Sequence, residues 1–186
     1  EKILRGDKLE EEIQVKKIRL PIPQTSFIGR EQEIQQLTEL LKKPTCRLVT
    51  IVGQGGIGKT RLSIETARKS LLLFSNGVFF VPVEACPSIE HLILAIAKSL
   101  EFTIDVVVNA AGAKTQLMDY LHKRSCLLIL DGFEHLVRSA EFLVELLDGA
   151  PKVKLLVNSR QSLELNSEWT FHLEGLAYHS LNENLF

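Results

Sequence analysis

The sequence predicts an α/β fold, a three-layer sandwich with a parallel sheet between helices, and two observations carry that prediction. Short, almost continuous apolar runs alternate with segments whose apolar residues recur every three or four positions. One such run breaks into glycine and restarts as a helical pattern, over Arg47-Leu48-Val49-Thr50-Ile51-Val52-Gly53-Gln54-Gly55-Gly56-Ile57-Gly58-Lys59-Thr60-Arg61. Runs such as Cys126-Leu127-Leu128-Ile129-Leu130 suit strands buried on both faces, which need helices above and below and right-handed crossovers between them.

Taken in order, residues 1–25 are charged and mixed. Ile13, Val15, Ile18 and Leu20 fit neither period, and Leu20-Pro21-Ile22-Pro23 closes the stretch, so it reads as a linker or the trailing edge of an upstream element. Phe27-Ile28-Gly29-Arg30-Glu31-Gln32-Glu33 leads into a helix with Ile34, Leu37, Leu40 and Leu41 on one face, stopped by Pro44. Residues 46–52 form the first buried strand, and 59–74 a helix on the spacing of Ile64, Ala67, Leu71 and Phe74. Asn76-Gly77 turns into a strand over 78–83, and Ser88 is placed to cap a helix carrying Ile89, Leu92, Ile93, Ile96, Ala97 and Leu100. Val106-Val107-Val108 has strand propensity but stands where a loop or helix start fits the alternation; Leu117, Tyr120 and Leu121 mark the next helix. A strand ending at Asp131, a helix over 139–148 stopped by Gly149 and Pro151, a strand over 153–157 and a last one over 169–173 complete the pattern.

The totals narrow the function classes. At 186 residues with 45% hydrophobic residues and a mean hydropathy of +0.10, the chain is expected to bury one core. With 22 basic against 23 acidic residues the net charge is −1, so no overall field draws this segment to nucleic acid or an anionic membrane. Cys46, Cys86 and Cys126 lack C-x-x-C spacing and read as reduced thiols, not as a zinc site or disulfide framework. No apolar run approaches the roughly 20 residues that span a bilayer, and no signal-peptide pattern opens the chain, so a cytoplasmic protein is the default expectation. Glu1 is no initiator methionine, and the chain reads as a segment of something longer.

Gly53, Gly58, Lys59 and Thr60 fit the G-x-x-x-x-G-K-[ST] phosphate-binding loop, flanked by the strand and helix that signature requires. Glycines at 53, 55, 56 and 58 allow a tight backbone whose N–H groups point at phosphate oxygens, and the following helix adds its positive end. Lys59 is expected on the β- and γ-phosphates and Thr60 on Mg²⁺; Ile57 and Arg61 complete the nucleotide-contacting run. Asp131, closing four apolar residues, has the Walker B pattern of a Mg²⁺-holding carboxylate. Gly132 stands where an active ATPase usually has its water-polarising acid. If the strand ran on, Glu134 would share the face of Gly132 and serve as the base; a solvated loop glutamate is the competing reading. Arg160, ending Val157-Asn158-Ser159-Arg160, is placed to report the γ-phosphate, unless it is an ordinary strand-end cation. Phe27 and Ile28 offer an adenine face or a hydrophobic staple for the helix after them. His91, His122 and His135 carry no partner pattern, and Arg138 reads as a solvated charge. No Asn-Lys-x-Asp guanine-reading motif occurs.

These motifs resemble those of the STAND-class P-loop NTPases, signal-transduction ATPases related to AAA+ and NB-ARC proteins. Phe27 to Glu33 resembles their hhGRExE motif, and Gly53 to Thr60 their GxGGIGKT loop. LLILDGFEH over 127–135 is similar to their modified Walker B, LLVNSR over 155–160 to their sensor strand, and 169–176 to the segment after that strand in LuxR-type regulators. The resemblance implies a P-loop NTPase sandwich on a five-stranded parallel sheet of order 5-1-4-3-2, with a nucleotide-binding domain over 26–176 and the start of a helical lid over 177–186. It implies an ATP/ADP switch in a transcriptional or signalling regulator, with slow Mg-dependent hydrolysis, partners in other domains of the same chain and a nucleotide-dependent homo-oligomer. By position, Ile28 and Arg30 lie near the adenosine, Lys59 and Thr60 on phosphates and Mg²⁺, Asp131 on Mg²⁺, Glu134 acts as catalytic acid and Arg160 as sensor. Asn158 stands where Thr is common, and the family's Gly-x-Pro lid element does not occur in this chain. An interaction scaffold without turnover and a conventional P-loop ATPase are the alternatives.

Overall fold

The computed structural model describes residues 17–22, 25, 27–105 and 109–175. The valine run 106–108, the expected lid over 177–186 and residues 1–16 lie outside them. Strands and helices alternate as β1 (Ile18–Arg19), α1 (Glu31–Lys42), β2 (Leu48–Val52), α2 (Lys59–Lys69), β3 (Val78–Pro82), α3 (Ile89–Ser99), α4 (Ala110–His122), β4 (Leu127–Asp131), α5 (Glu141–Gly149), β5 (Lys154–Ser159) and β6 (Glu168–His172).

The sheet is parallel throughout, in the order β1-β3-β4-β5-β2-β6. Its side chains alternate between two cores, as strand geometry requires. Leu128, Leu130, Leu155 and Val157 face α3, α4 and α5, whereas Val49, Ile51, Leu127, Ile129 and Leu156 face α1 and α2. Each helix contributes the stripe read from its periodicity: Ile34, Leu37 and Leu41 from α1, Leu92, Ile93 and Ile96 from α3, Leu143, Leu146 and Leu147 from α5. The result is the three-layer sandwich, and the five strands expected from the sequence hold the order 5-1-4-3-2 read from β6 inward.

The count of five needs correction to six, because β1 extends the sheet beyond β3. Both its residues are exposed, so no burial pattern marks them. Backbone contact makes the strand instead: Val78 N–H donates to the Lys17 carbonyl at 3.0 Å. Gly77, at φ 104°, permits that approach, since a Cβ there would lie 2.0 Å from the Lys17 oxygen. Glu101 pairs with both Lys17 and Arg19.

Three element ends also differ in detail. The helix expected over 59–74 stops at Lys69 and continues as a single 3₁₀ turn, Leu71–Leu73, that still buries Phe74. Ser88 stands at the N-cap of α3, but its hydroxyl bonds to Glu90 and His91 instead of a backbone N–H. β5 runs two residues further than its apolar pattern, because Asn158 and Ser159 are buried polar residues with partners in the fold.

Candidate functional site

The phosphate-binding loop leaves β2 at the carboxyl edge of the sheet and enters α2 at Lys59. Its glycines are needed for two different reasons. Gly56 and Gly58 take φ of 78° and 102°, where an L side chain is strained although nothing crowds it. Gly53 is needed for space, since a Cβ there would stand 2.9 Å from the Leu173 carbonyl oxygen, whereas one at Gly55 would only touch the exposed Arg160 guanidinium at 3.4 Å. α2 has no acidic residue in its first turn and no side-chain cap, which leaves its N-terminal N–H groups for an anionic ligand.

Lys59 is buried and donates from Nζ to the carbonyls of Gly53 at 2.7 Å and Gln54 at 3.0 Å. Burial lowers its pKa; Glu134 opposes that shift, Arg160 adds to it, and Asp131 opposes it less strongly. The lysine therefore lies in the field of all three charges that the sequence placed at the site.

Asp131 is held at the end of β4. Its Oδ1 accepts from Thr60 Oγ at 2.8 Å and from Asn158 Nδ2 at 2.6 Å. Asn158 also donates to Ser63 Oγ at 2.9 Å, and Ser63 Oγ donates to the Thr60 carbonyl at 2.9 Å. Asn158, 1% exposed, thus joins Asp131 to α2; the sequence reading noted it only as standing where Thr is common and did not place it in the site. The signal that would have found it is register, since Asn158 pairs with Asp131 across β4 and β5.

Glu134 reaches the site by another route than strand alternation. β4 stops at Asp131, and Gly132 turns left-handed at φ 83°, where a Cβ would press against Glu84 at 3.1 Å. A 3₁₀ helix, Phe133–Ser139, then carries Glu134 to within 3.8 Å of Arg160 Nε. Buried Phe133 and a 2.6 Å contact between His135 Nε2 and the Cys86 carbonyl hold that turn. Arg160 is the loosest of the group, its side chain 71% exposed.

The upstream motif is fastened largely through backbone. Arg30, itself left-handed at φ 67°, reaches Ile57 O at 3.3 Å, Glu174 O at 2.7 Å and Glu33 Oε1 at 3.0 Å. Phe27 packs on the α1/α2 core, while Ile28 is 81% exposed. Arg61 is engaged away from the loop, donating to Thr25 O at 2.7 Å, pairing with Glu65 at 3.0 Å and lying 5.5 Å from the Phe27 ring centre. Between the loop and the chain leaving β6 lies a cavity of about 700 Å³, lined by residues 52–57 on one side and 172–175 on the other.

Thr60 at the start of α2 and Asp131 at the end of β4 both offer oxygen ligands, which suit Mg²⁺ held jointly with phosphates. Among the described residues no three or more His, Cys, Asp or Glu side chains group together as a metal cage would need. No helix among the described residues is long and apolar enough to cross a membrane.

This geometry has counterparts among known proteins. The model of the NB-ARC domain matches residues 30–168. A Mycobacterium tuberculosis (strain H37Rv) protein named as an HTH-type transcriptional regulator is 33% identical over 134 residues, covering 70% of this chain and 14% of that protein. The chain thus spans about one-seventh of that relative's length. Among solved structures, ORC2 of Aeropyrum pernix, in ADPNP–ADP complexes, is similar at a TM-score of 0.63 and 19% identity, over 82% of this chain and 49% of that one. A signal-transduction ATPase with numerous domains and a tetratricopeptide-repeat sensor, from Pyrococcus horikoshii, aligns at a TM-score of 0.59 and 19% identity, over 85% of this chain and 24% of that one.

Proposed function

This chain belongs to the NB-ARC domain family, and from that premise we propose that it is the ATP/ADP-binding switch of a longer regulatory protein, with slow Mg-dependent hydrolysis. The observation that carries the reading is the convergence of Lys59, Asp131, Glu134 and Arg160 on one edge of the sheet, from three segments separated in the chain. Residues 26–176 are the nucleotide-binding unit in this reading, residues 177–186 the start of a lid, and residues 1–25 a linker whose Ile18–Arg19 strand belongs to the sheet.

The backbone N–H groups from Gly55 to Thr60 receive phosphate oxygens, and Lys59 exchanges its two carbonyl acceptors for them. Mg²⁺, held by Thr60 and Asp131 with the phosphates, supplies charge neutralisation when bound. Arg160 has two candidate partners, the Glu134 carboxylate and a terminal phosphate, so its choice reports whether that phosphate is there. Glu134 accepts the proton of an attacking water once Arg160 turns to the phosphate. Slow turnover follows from a base that one cation must first release.

Adenine is the proposed base and cytoplasm the proposed compartment. The named relative supports a DNA-binding effector elsewhere in the full protein, with no nucleic-acid contact from this segment. Oligomer formation on ATP binding is part of the same proposal. A scaffold without turnover is the second reading, favoured by Gly132 after Asp131 and by the Glu134–Arg160 pair.

Titration calorimetry with ATP and ADP, with and without Mg²⁺, tests the reading. Lys59→Ala is expected to weaken both nucleotides by about a hundredfold, the scale of two lost charge-assisted bonds, with an unchanged circular dichroism spectrum. Equal affinity in the variant would end the phosphate-loop assignment.

A further inference from the structure

Resting on the nucleotide-binding reading, we infer that Glu174 recognises the ribose of the bound nucleotide by accepting hydrogen bonds from its 2′- and 3′-hydroxyls. Glu174 follows β6 by two residues and lines the cavity of about 700 Å³ that opens beside the phosphate loop. Among the described residues it is the only acidic side chain in that lining, facing a loop that offers backbone donors.

The wall carrying Glu174 is fixed to the loop through backbone on both sides. Leu173 N–H donates to Val52 O at 2.8 Å, and the Leu173 carbonyl lies 2.9 Å from where a Gly53 Cβ would stand. Arg30 then bridges Glu174 O and Ile57 O at 2.7 and 3.3 Å. Leu173 is buried at 4% exposure, while His172 and Glu174 on either side of it are exposed. The Glu174 carboxylate therefore takes no part in holding the wall, and no donor among the described residues reaches it. Its backbone is held by Arg30 and, one residue before, by Val52, and among the described residues its carboxylate is left for a ligand.

Chemistry decides which part of a nucleotide it meets. A carboxylate only accepts hydrogen bonds, so it repels phosphate and needs O–H or N–H donors. The ribose presents two adjacent hydroxyls, which two carboxylate oxygens can receive together. It is also the part joined directly to the α-phosphate, so it sits next to the cradle that Gly53 to Thr60 form. The adenine amino group is the other donor in the molecule, and the experiment separates it from the diol.

Affinities of the chain for ATP, 2′-deoxyATP, 3′-deoxyATP and inosine triphosphate are measured by calorimetry, for the wild type, Glu174→Ala and Glu174→Gln. The wild type is expected to prefer ATP over either deoxynucleotide by about tenfold, the scale of a charge-assisted hydrogen bond. Glu174→Ala brings that ratio close to one by weakening ATP most, because each deoxynucleotide has only one hydroxyl bond to lose, and Glu174→Gln keeps part of the ratio through its amide oxygen. The ATP-to-inosine ratio stays the same in all three proteins. A wild type that does not discriminate, a ratio unchanged in Glu174→Ala, or a changed ATP-to-inosine ratio in Glu174→Ala overturns the ribose assignment while leaving nucleotide binding in place. Failure of all four nucleotides to bind the wild type overturns the nucleotide reading, and this inference with it.

Discussion

Asp131 and Glu134 are three residues apart in the chain and are held in opposite ways. Asp131 is anchored by two donors, Thr60 and Asn158, both within 2.8 Å, and Asn158 is buried against α2. Glu134 sits on a 3₁₀ turn with a single cation at 3.8 Å, and that cation is mostly in water. A carboxylate that must present a metal ion in one geometry profits from fixed partners, because the ordering cost is met during folding. A carboxylate that must release and regain a partner needs the reverse. The difference suits the proposed roles, with the first carboxylate in the binding corner and the second in the switching corner.

The largest effect that would break this comparison is in turnover. Glu134→Gln is expected to lower single-turnover hydrolysis by about a hundredfold or more, the range of a lost general base, while ATP affinity changes by less than about threefold; undiminished hydrolysis removes Glu134 from the chemistry. Asp131→Ala comes next, because it strips a partner from buried Asn158 as well as a Mg²⁺ ligand. A stability loss of about 1–3 kcal/mol in urea melts is expected, as for an orphaned buried donor, together with affinity for ATP that no longer depends on Mg²⁺. Should that variant melt like the wild type, Asp131 is no more anchored than Glu134. The smallest effect belongs to Arg160→Ala. Its exposed pair contributes under about 1 kcal/mol to stability, so the melt is expected to stay put while the preference for ATP over ADP falls. A shifted melt with intact preference would make Arg160 a structural residue.

Much of the fold was legible because it is written in local pattern. The apolar runs of β2 and β4, the helical stripes of α1, α3 and α5 and the glycine spacing of the loop each reflect a period that one segment carries alone. β1 was missed because two exposed residues have no period, and its pairing depends on the space left by Gly77. Glu134 was weighed on a strand running on past Asp131, against a solvated loop glutamate; the strand instead stops, and a left-handed glycine followed by a 3₁₀ turn sets its position. Asn158 was noted as standing where Thr is common in the resembling sensor strand, but nothing local said that it would meet Asp131.

The sequence by itself determined the layer architecture, the phosphate loop and the identity of the charged groups at its edge, since hydrophobic period and glycine spacing act over a few neighbouring residues. Only the tertiary structure decided which groups meet. Asp131 with Asn158, Glu134 with Arg160 and Arg30 with Glu174 are joined across 27, 26 and 144 positions of chain. Those meetings depend on strand order and register, which the packing of both helix layers against the sheet sets as a whole and no single segment encodes.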